Sequence, residues 1–156
     1  MNLAENQSII YESEFQMLFN DLDMYGHLNA SRYLDYLTTS RFLFPRSAFG
    51  LDEKYFLEKD LGFYVKTCQL NFLRPIIGLR VFGVRSWMVE TDGTNVLLNV
   101  KFFCPKKGTV YCDGRLIICA VSPKSGRPKP INEDAWQFLS KKEIKYLPLV
   151  DHVNPF

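Results

Sequence analysis

The residues able to do chemistry concentrate in one stretch of this 156-residue chain, Asn20-Asp21-Leu22-Asp23-Met24-Tyr25-Gly26-His27-Leu28-Asn29. Asp21, Asp23 and Gly26 match positions 1, 3 and 6 of an EF-hand calcium loop. Tyr25 at position 5 and Arg32 at position 12, where a bidentate Glu is needed, break that match. A transition metal on Asp21, Asp23 and His27 would want a second imidazole, and the other histidine, His152, lies in the C-terminal tail. The expectation is therefore no metal and no cofactor. Metal-free chemistry is the remaining functional reading. A carboxylate beside a helix N-terminus can attack a carbonyl or deprotonate water, while unpaired backbone N–H groups stabilise the developing oxyanion. The purely structural alternative is that Asp21 and Asp23 close an Asx-type turn and Asn29 caps a helix. Residue types leave these two readings open.

The surrounding elements must place that stretch. Residues 10–19 (IYESEFQMLF) alternate crudely and predict a strand, and Asp21–Asn29 reads as a turn. Ser31–Phe44 carries Tyr33, Leu34, Leu37 and Arg41 at three- and four-residue spacings, which predicts an amphipathic helix with Asn29 as N-cap and Pro45 as its stop. A shorter helix is expected at Asp52–Lys59. From Gly62 onward Phe63–Arg74, Leu79–Thr91, Thr94–Cys104 and Thr109–Val121 are β-rich, separated by Pro75–Gly78, Asp92-Gly93 and Pro105–Gly108. Asp92-Gly93 is the strongest hairpin signal and suggests a type I′ turn, with positive φ at both residues. Residues 122–130 (SPKSGRPKP) form an exit loop, and Glu133–Lys142 reads as a short helix. The layout is α+β: one early strand, one long helix and a four-strand meander in a single domain over 1–156.

Composition narrows the function classes. The chain is 47% hydrophobic and 23% charged with a net charge of +2, an ordinary globular balance that does not suggest a nucleic-acid binder. The final third is net positive and the rest net negative; a solvated surface and an anionic ligand both fit. Cys68, Cys104, Cys112 and Cys119 form no C-x-x-C pair and sit in strand-like stretches, as free core thiols do. The N-terminus lacks the basic and apolar regions of a secretory signal, and Leu116–Val121 is the longest purely apolar run, too short to span a bilayer. A cytoplasmic protein with no membrane partner is expected. The G-x-S-x-G elbow, the phosphate loop and the dinucleotide fingerprint are all missing from the sequence. Arg74-Pro75 at a strand end either meets a phosphate or merely punctuates the strand, and Lys106-Lys107 reads as a solvated turn.

The stretch DLDMYGHLNASRYLDYLTTSR closely resembles the D-x-D-x-x-G-H-[VL]-N-N-x-x-Y-L segment of acyl-CoA thioesterases related to 4-hydroxybenzoyl-CoA thioesterase. LNFLRPIIG and SGRPKPI resemble two further segments of that family, so that the likeness covers about residues 11–140 and leaves 141–156 unassigned. The resemblance implies a hotdog fold, a long helix wrapped by a curved antiparallel sheet, and a homodimer or homotetramer acting on an acyl- or aroyl-CoA. Asp23 falls at the family's catalytic carboxylate, as nucleophile or general base. The backbone N–H near Ala30 falls at the oxyanion donor. Gly26, His27, Asn29, Tyr33 and Arg74 fall at substrate-binding positions. Ala30 departs from the family's second Asn, and Leu79 from its usual Asp after Gly78. A hotdog dehydratase or hydratase, and a non-catalytic acyl-thioester-binding protein, are the alternative functions.

Overall fold

The computed structural model describes residues 10–133, 135 and 144–150, the last segment as backbone. Strand β1 (Ile10–Gln16) leads through a 3-10 turn at Phe19–Asp21 into helix α1 (Ala30–Phe49), followed by α2 (Glu53–Glu58). Four strands follow, β2 (Gly62–Phe72), β3 (Val81–Thr91), β4 (Asn95–Phe103) and β5 (Val110–Val121), and β6 (Ile144–Val150) comes last. They form one sheet in the order β2-β5-β4-β3-β1-β6. Only β3, β4 and β5 form a meander; the expected fourth member, β2, does not pair with its successor β3 but with β5 at the far edge, because β3 is taken up by β1. Every pairing from β2 to β1 is antiparallel, whereas β6 joins β1 in parallel. That last strand lies in the segment the sequence left unassigned. Of the expected helix at Glu133–Lys142, only Glu133 and Ala135 are described, both helical; the rest lies outside the described residues.

Helix α1 begins where expected. Asn29 accepts the Ser31 N–H on its side chain at 3.0 Å, which satisfies one orphan donor of the first turn. Its buried stripe is Tyr33, Tyr36, Leu37 and Ser40, the helical i, i+3, i+4, i+7 spacing; Leu34 points off this stripe and is exposed. Pro45 does not stop the helix. The Gly50 N–H returns to the Arg46 carbonyl at 3.0 Å and the Leu51 N–H to the Pro45 carbonyl at 3.1 Å. This two-bond cap outweighs the single helical bond that the proline removes, and the helix runs on to Phe49.

The helix packs on the inner face of the sheet through an aromatic cluster. Tyr36 lies edge-on to Phe15 at 5.1 Å and to Phe82 at 4.9 Å, and Tyr33 contacts Phe102 and Phe72 at 4.9 Å each. Phe15, Phe82 and Phe102 are fully buried. β2 and β5 come very close at Gly114, where an added Cβ would meet the Gln69 carbonyl oxygen at 2.0 Å. Only glycine allows the β2 backbone to approach β5 this closely. The Asp92-Gly93 hairpin forms, but not as a type I′ turn: Gly93 has φ +91° while Asp92 does not reach positive φ. The Asp92 carboxylate closes it instead, with Oδ1 accepting the Thr94 and Asn95 N–H groups at 2.8 and 2.6 Å. All four cysteines are free thiols, and Cys68 is exposed on β2 rather than in the core. No helix among the described residues is long and apolar enough to cross a membrane, and none of them cluster as a metal-ligating group.

Candidate active site

The loop between β1 and α1 is held on both sides. Leu22 bridges Leu28, and the Asp23 N–H reaches the His27 carbonyl at 2.7 Å, making a small hairpin. His27 bridges Ile77, the Leu28 N–H donates to the Ile76 carbonyl at 2.8 Å, and the Gly78 N–H donates to the Gly26 carbonyl at 3.0 Å. The segment after β2 is thus stitched to the loop. Gly26 turns at φ +73°, a conformation that a Cβ would disfavour even though the space around it is open.

Within this hairpin Asp23 is only half engaged. Its Oδ1 accepts the Tyr25 N–H at 2.8 Å and the His27 N–H at 3.0 Å. Oδ2 has no hydrogen-bond partner among the described residues. The His27 N–H, then the Tyr25 N–H and the nearby imidazole, hold the carboxyl below the usual carboxylate range, so that it is ionised at neutral pH. At the start of α1, the Ser31 N–H goes to Asn29 Oδ1 and the Arg32 N–H to the Asn29 carbonyl at 2.9 Å. The Ala30 N–H has no acceptor among the described residues, and it sits at the positive end of a 20-residue helix.

The residues that carry both unengaged groups line one hollow. A cleft of about 350 Å³ is lined by Asp23, His27, Leu28, Ala30 and Tyr33 on one side and by Phe72, Leu73, Arg74 and Pro75 on the other. Tyr33 is buried, and burial pushes its phenol up to about 12, so it stays neutral. Arg74 is exposed at the rim, its Nη1 3.4 Å from the Val110 carbonyl. Of the residues singled out from the sequence, Asp23, His27, Ala30, Tyr33 and Arg74 converge here. Gly26 and Asn29 do not line the cleft; the first shapes the turn and the second has its Oδ1 engaged as the cap. Phe72 and Leu73 were missed, although they lie directly before the Arg74-Pro75 pair. A larger hollow of about 470 Å³ opens on the outer sheet face among Gln69, Asn71, Asp113 and Arg115, with no helix terminus beside it. The smaller cleft is the one lined by residues singled out from the sequence.

A long helix embraced by a curved antiparallel sheet defines the hotdog class of α+β proteins, and the solved structures agree. A hypothetical protein from Staphylococcus aureus in complex with CoA superposes with a TM-score of 0.74 at 13% identity, over 84% of this chain and 82% of that one. A DHNA-CoA thioesterase from the same organism gives 0.72 at 14% identity, over 83% and 87%. A hypothetical protein from Thermus thermophilus gives 0.72 at 22%, over 83% and 96%. No curated protein sequence matches the chain. The sequence model of the thioesterase-like superfamily matches residues 17–139, and the chain belongs to that superfamily. It is a thioester hydrolase by class.

Proposed function

We propose that the protein is an acyl-CoA thioesterase in which Asp23 is the reactive carboxylate and the Ala30 N–H the oxyanion donor. The observation that carries this reading is that Asp23, with one oxygen unengaged, and Ala30, with its helix-start N–H unengaged, line the same cleft. The thioester carbonyl sits between them. Asp23 Oδ2 attacks the carbonyl carbon, or takes a proton from the water that does, while the Ala30 N–H and the helix dipole stabilise the developing negative oxygen. The C–S bond breaks and the thiolate leaves without needing a strong acid. If Asp23 attacked directly, water then hydrolyses the mixed anhydride; by either route one water is consumed and acid plus CoA thiol is released. Leu28, Tyr33, Phe72 and Leu73 supply an apolar wall for the acyl or aroyl group, and exposed Arg74 meets the anionic part of the carrier. The CoA bound by the Staphylococcus aureus neighbour supports that carrier class.

The protein acts as a homodimer in this reading. β2 is an 11-residue edge strand, exposed along most of its length, with Tyr64, Val65 and Phe72 open to solvent. A long edge of this kind, with Lys66 as its single charged residue, is a template for pairing with another chain. The cleft lies at its C-terminal end. Replacing Tyr64 and Val65 with Lys should convert the dimer into monomer in analytical ultracentrifugation; an unchanged mass would refute β2 as the contact.

Free-thiol release from short, long and aromatic acyl-CoA esters tests the reaction. Release by the wild type, and a fall of at least about a hundredfold in Asp23→Asn, is the expected result, since that is the scale of losing one catalytic group. No release from any ester would overturn the assignment.

A further inference from the structure

Asp21 stands two residues before Asp23 and has the opposite surroundings. It is 7% exposed, and its carboxylate is engaged on every side. Oδ2 accepts the Leu18 N–H at 2.8 Å and the Tyr36 hydroxyl, and Arg32 Nε lies 3.6 Å from Oδ1. Its carbonyl accepts the Asn29 N–H at 2.8 Å. One residue therefore ties together the chain leaving β1, the cap of α1 and the second turn of α1. Tyr36 is itself wedged edge-on between the Phe15 and Phe82 rings, so the core fixes where its hydroxyl sits. Burial, then the Asp21 carboxylate, push that phenol above its ordinary value, so it remains a donor throughout the working pH range.

The loop that carries Asp23 begins at Asp21 and ends at Asn29, and Ala30 follows immediately. Both ends of the segment are thus tied to one buried residue, the Asn29 end through the Asp21 carbonyl and the Asp21 end through its carboxylate, which Tyr36 and Leu18 hold in place, while Asp23 in its middle lines the cleft. We propose that Asp21 and Tyr36 are positioning residues that set the separation and angle between Asp23 Oδ2 and the Ala30 N–H. The inference rests on the thioesterase reading above. An apolar contact could have anchored the loop, but it would fix only a distance. Charge-assisted hydrogen bonds are short and directional, and they fix an angle as well. Angle matters here because the attacking oxygen and the oxyanion donor must meet opposite ends of one carbonyl group. A misplacement of about 1 Å is enough to cost on the order of a hundredfold in rate. Arg32 completes the set by lying against the otherwise unbridged Oδ1 and also reaching Asp35 at 3.1 Å. It balances the buried charge from the helix surface.

The test compares Tyr36→Phe, which removes the hydroxyl and keeps the ring in its aromatic slot, with Asp21→Asn and with Ile118→Val. Ile118 is a buried residue of β5 that does not line the cleft, and it serves as a control for general loss of stability. For a thioester that the wild type hydrolyses, Tyr36→Phe and Asp21→Asn should each lower kcat by about tenfold or more, with KM within about twofold. The double variant should lose little more than the worse single, because one unit has been broken twice. Ile118→Val should keep wild-type kcat. A Tyr36→Phe enzyme with kcat within twofold of wild type would overturn the proposal, as would an equal kcat loss in Ile118→Val. If the wild type releases no thiol at all, the thioesterase reading fails separately, and the geometry is then read by NMR. The amide resonances of Tyr25, His27 and Ala30 should shift in Tyr36→Phe and stay in place in Ile118→Val. Unmoved resonances would sink the positioning role independently of any activity.

Discussion

Two turns in this molecule are closed by an aspartate that accepts two backbone N–H groups, at Asp23 and at Asp92. In both, the carboxyl is held below its usual range by those bonds, and in both a glycine with positive φ follows, Gly26 and Gly93. The difference lies in the second oxygen. Asp92 Oδ2 accepts the Asn95 side-chain amide at 2.7 Å, so the group is fully engaged in holding the hairpin. Asp23 Oδ2 is left without a partner among the described residues, on the wall of a cleft and beside a helix start. The same local motif is thus a structural clasp in one place and a candidate reactive group in the other. What separates them is the neighbourhood that tertiary structure supplies.

The contrast is broken most directly by the pair Asp23→Asn and Asp92→Asn. The first should lower thiol release at least about a hundredfold, and the second should leave it within about twofold. Equal losses would mean that Asp23, too, is only a clasp. Both variants should remain folded by circular dichroism.

Alanine at the two glycines sharpens the comparison. Gly26→Ala and Gly93→Ala each force a side chain into the left-handed region, at a cost of roughly 1–2 kcal/mol. Thermal melts should show similar losses. Turnover should fall about tenfold in Gly26→Ala alone, because only that turn aims a group at the cleft. A matching fall in Gly93→Ala would point to stability rather than geometry.

The pH dependence differs in kind. Asp23 must be ionised to act, and its folded value lies below the ordinary carboxylate range. The acid limb of kcat/KM should therefore fall below about pH 3.9, the unperturbed aspartate value, and a limb near neutrality would name a different group. For Asp92 the folded value is lowered to about 2. A depressed carboxyl contributes stability that is complete above its unfolded value and lost as pH falls toward the folded one. The contribution of Asp92 should thus disappear between about pH 4 and 2, and Asp92→Asn should flatten the stability–pH curve in that window. This is the smallest effect of the set, because the group is fully exposed and screened.

Much of this was legible in the residues because it depends on short-range forces. Asn29 as cap, Asp52 starting the second helix and the four β runs were all visible, since side-chain caps and strand preferences act within a few residues. The motif around Asp23 was visible for the same reason. Pro45 misled because its local cost was real but was outweighed by a cap five residues on. Asp92-Gly93 misled about turn type because the side chain of Asp92 offered an alternative closure. β6 was not anticipated, since its parallel seat on β1 joins residues more than 130 positions apart and leaves no local signal.

By itself the sequence determined where the chain turns, where the long helix starts and which residues could do chemistry, because caps, glycine φ values and alternation are settled among near neighbours. Tertiary structure alone decided that Asp21 is buried under Tyr36 while Asp23 keeps an oxygen for the cleft, and that Phe72–Pro75 arrives from β2 to form the facing wall. Those outcomes depend on which surfaces the sheet brings against the helix. Burial and directed hydrogen bonds between distant segments, not local preference, choose which of two neighbouring carboxylates is left free.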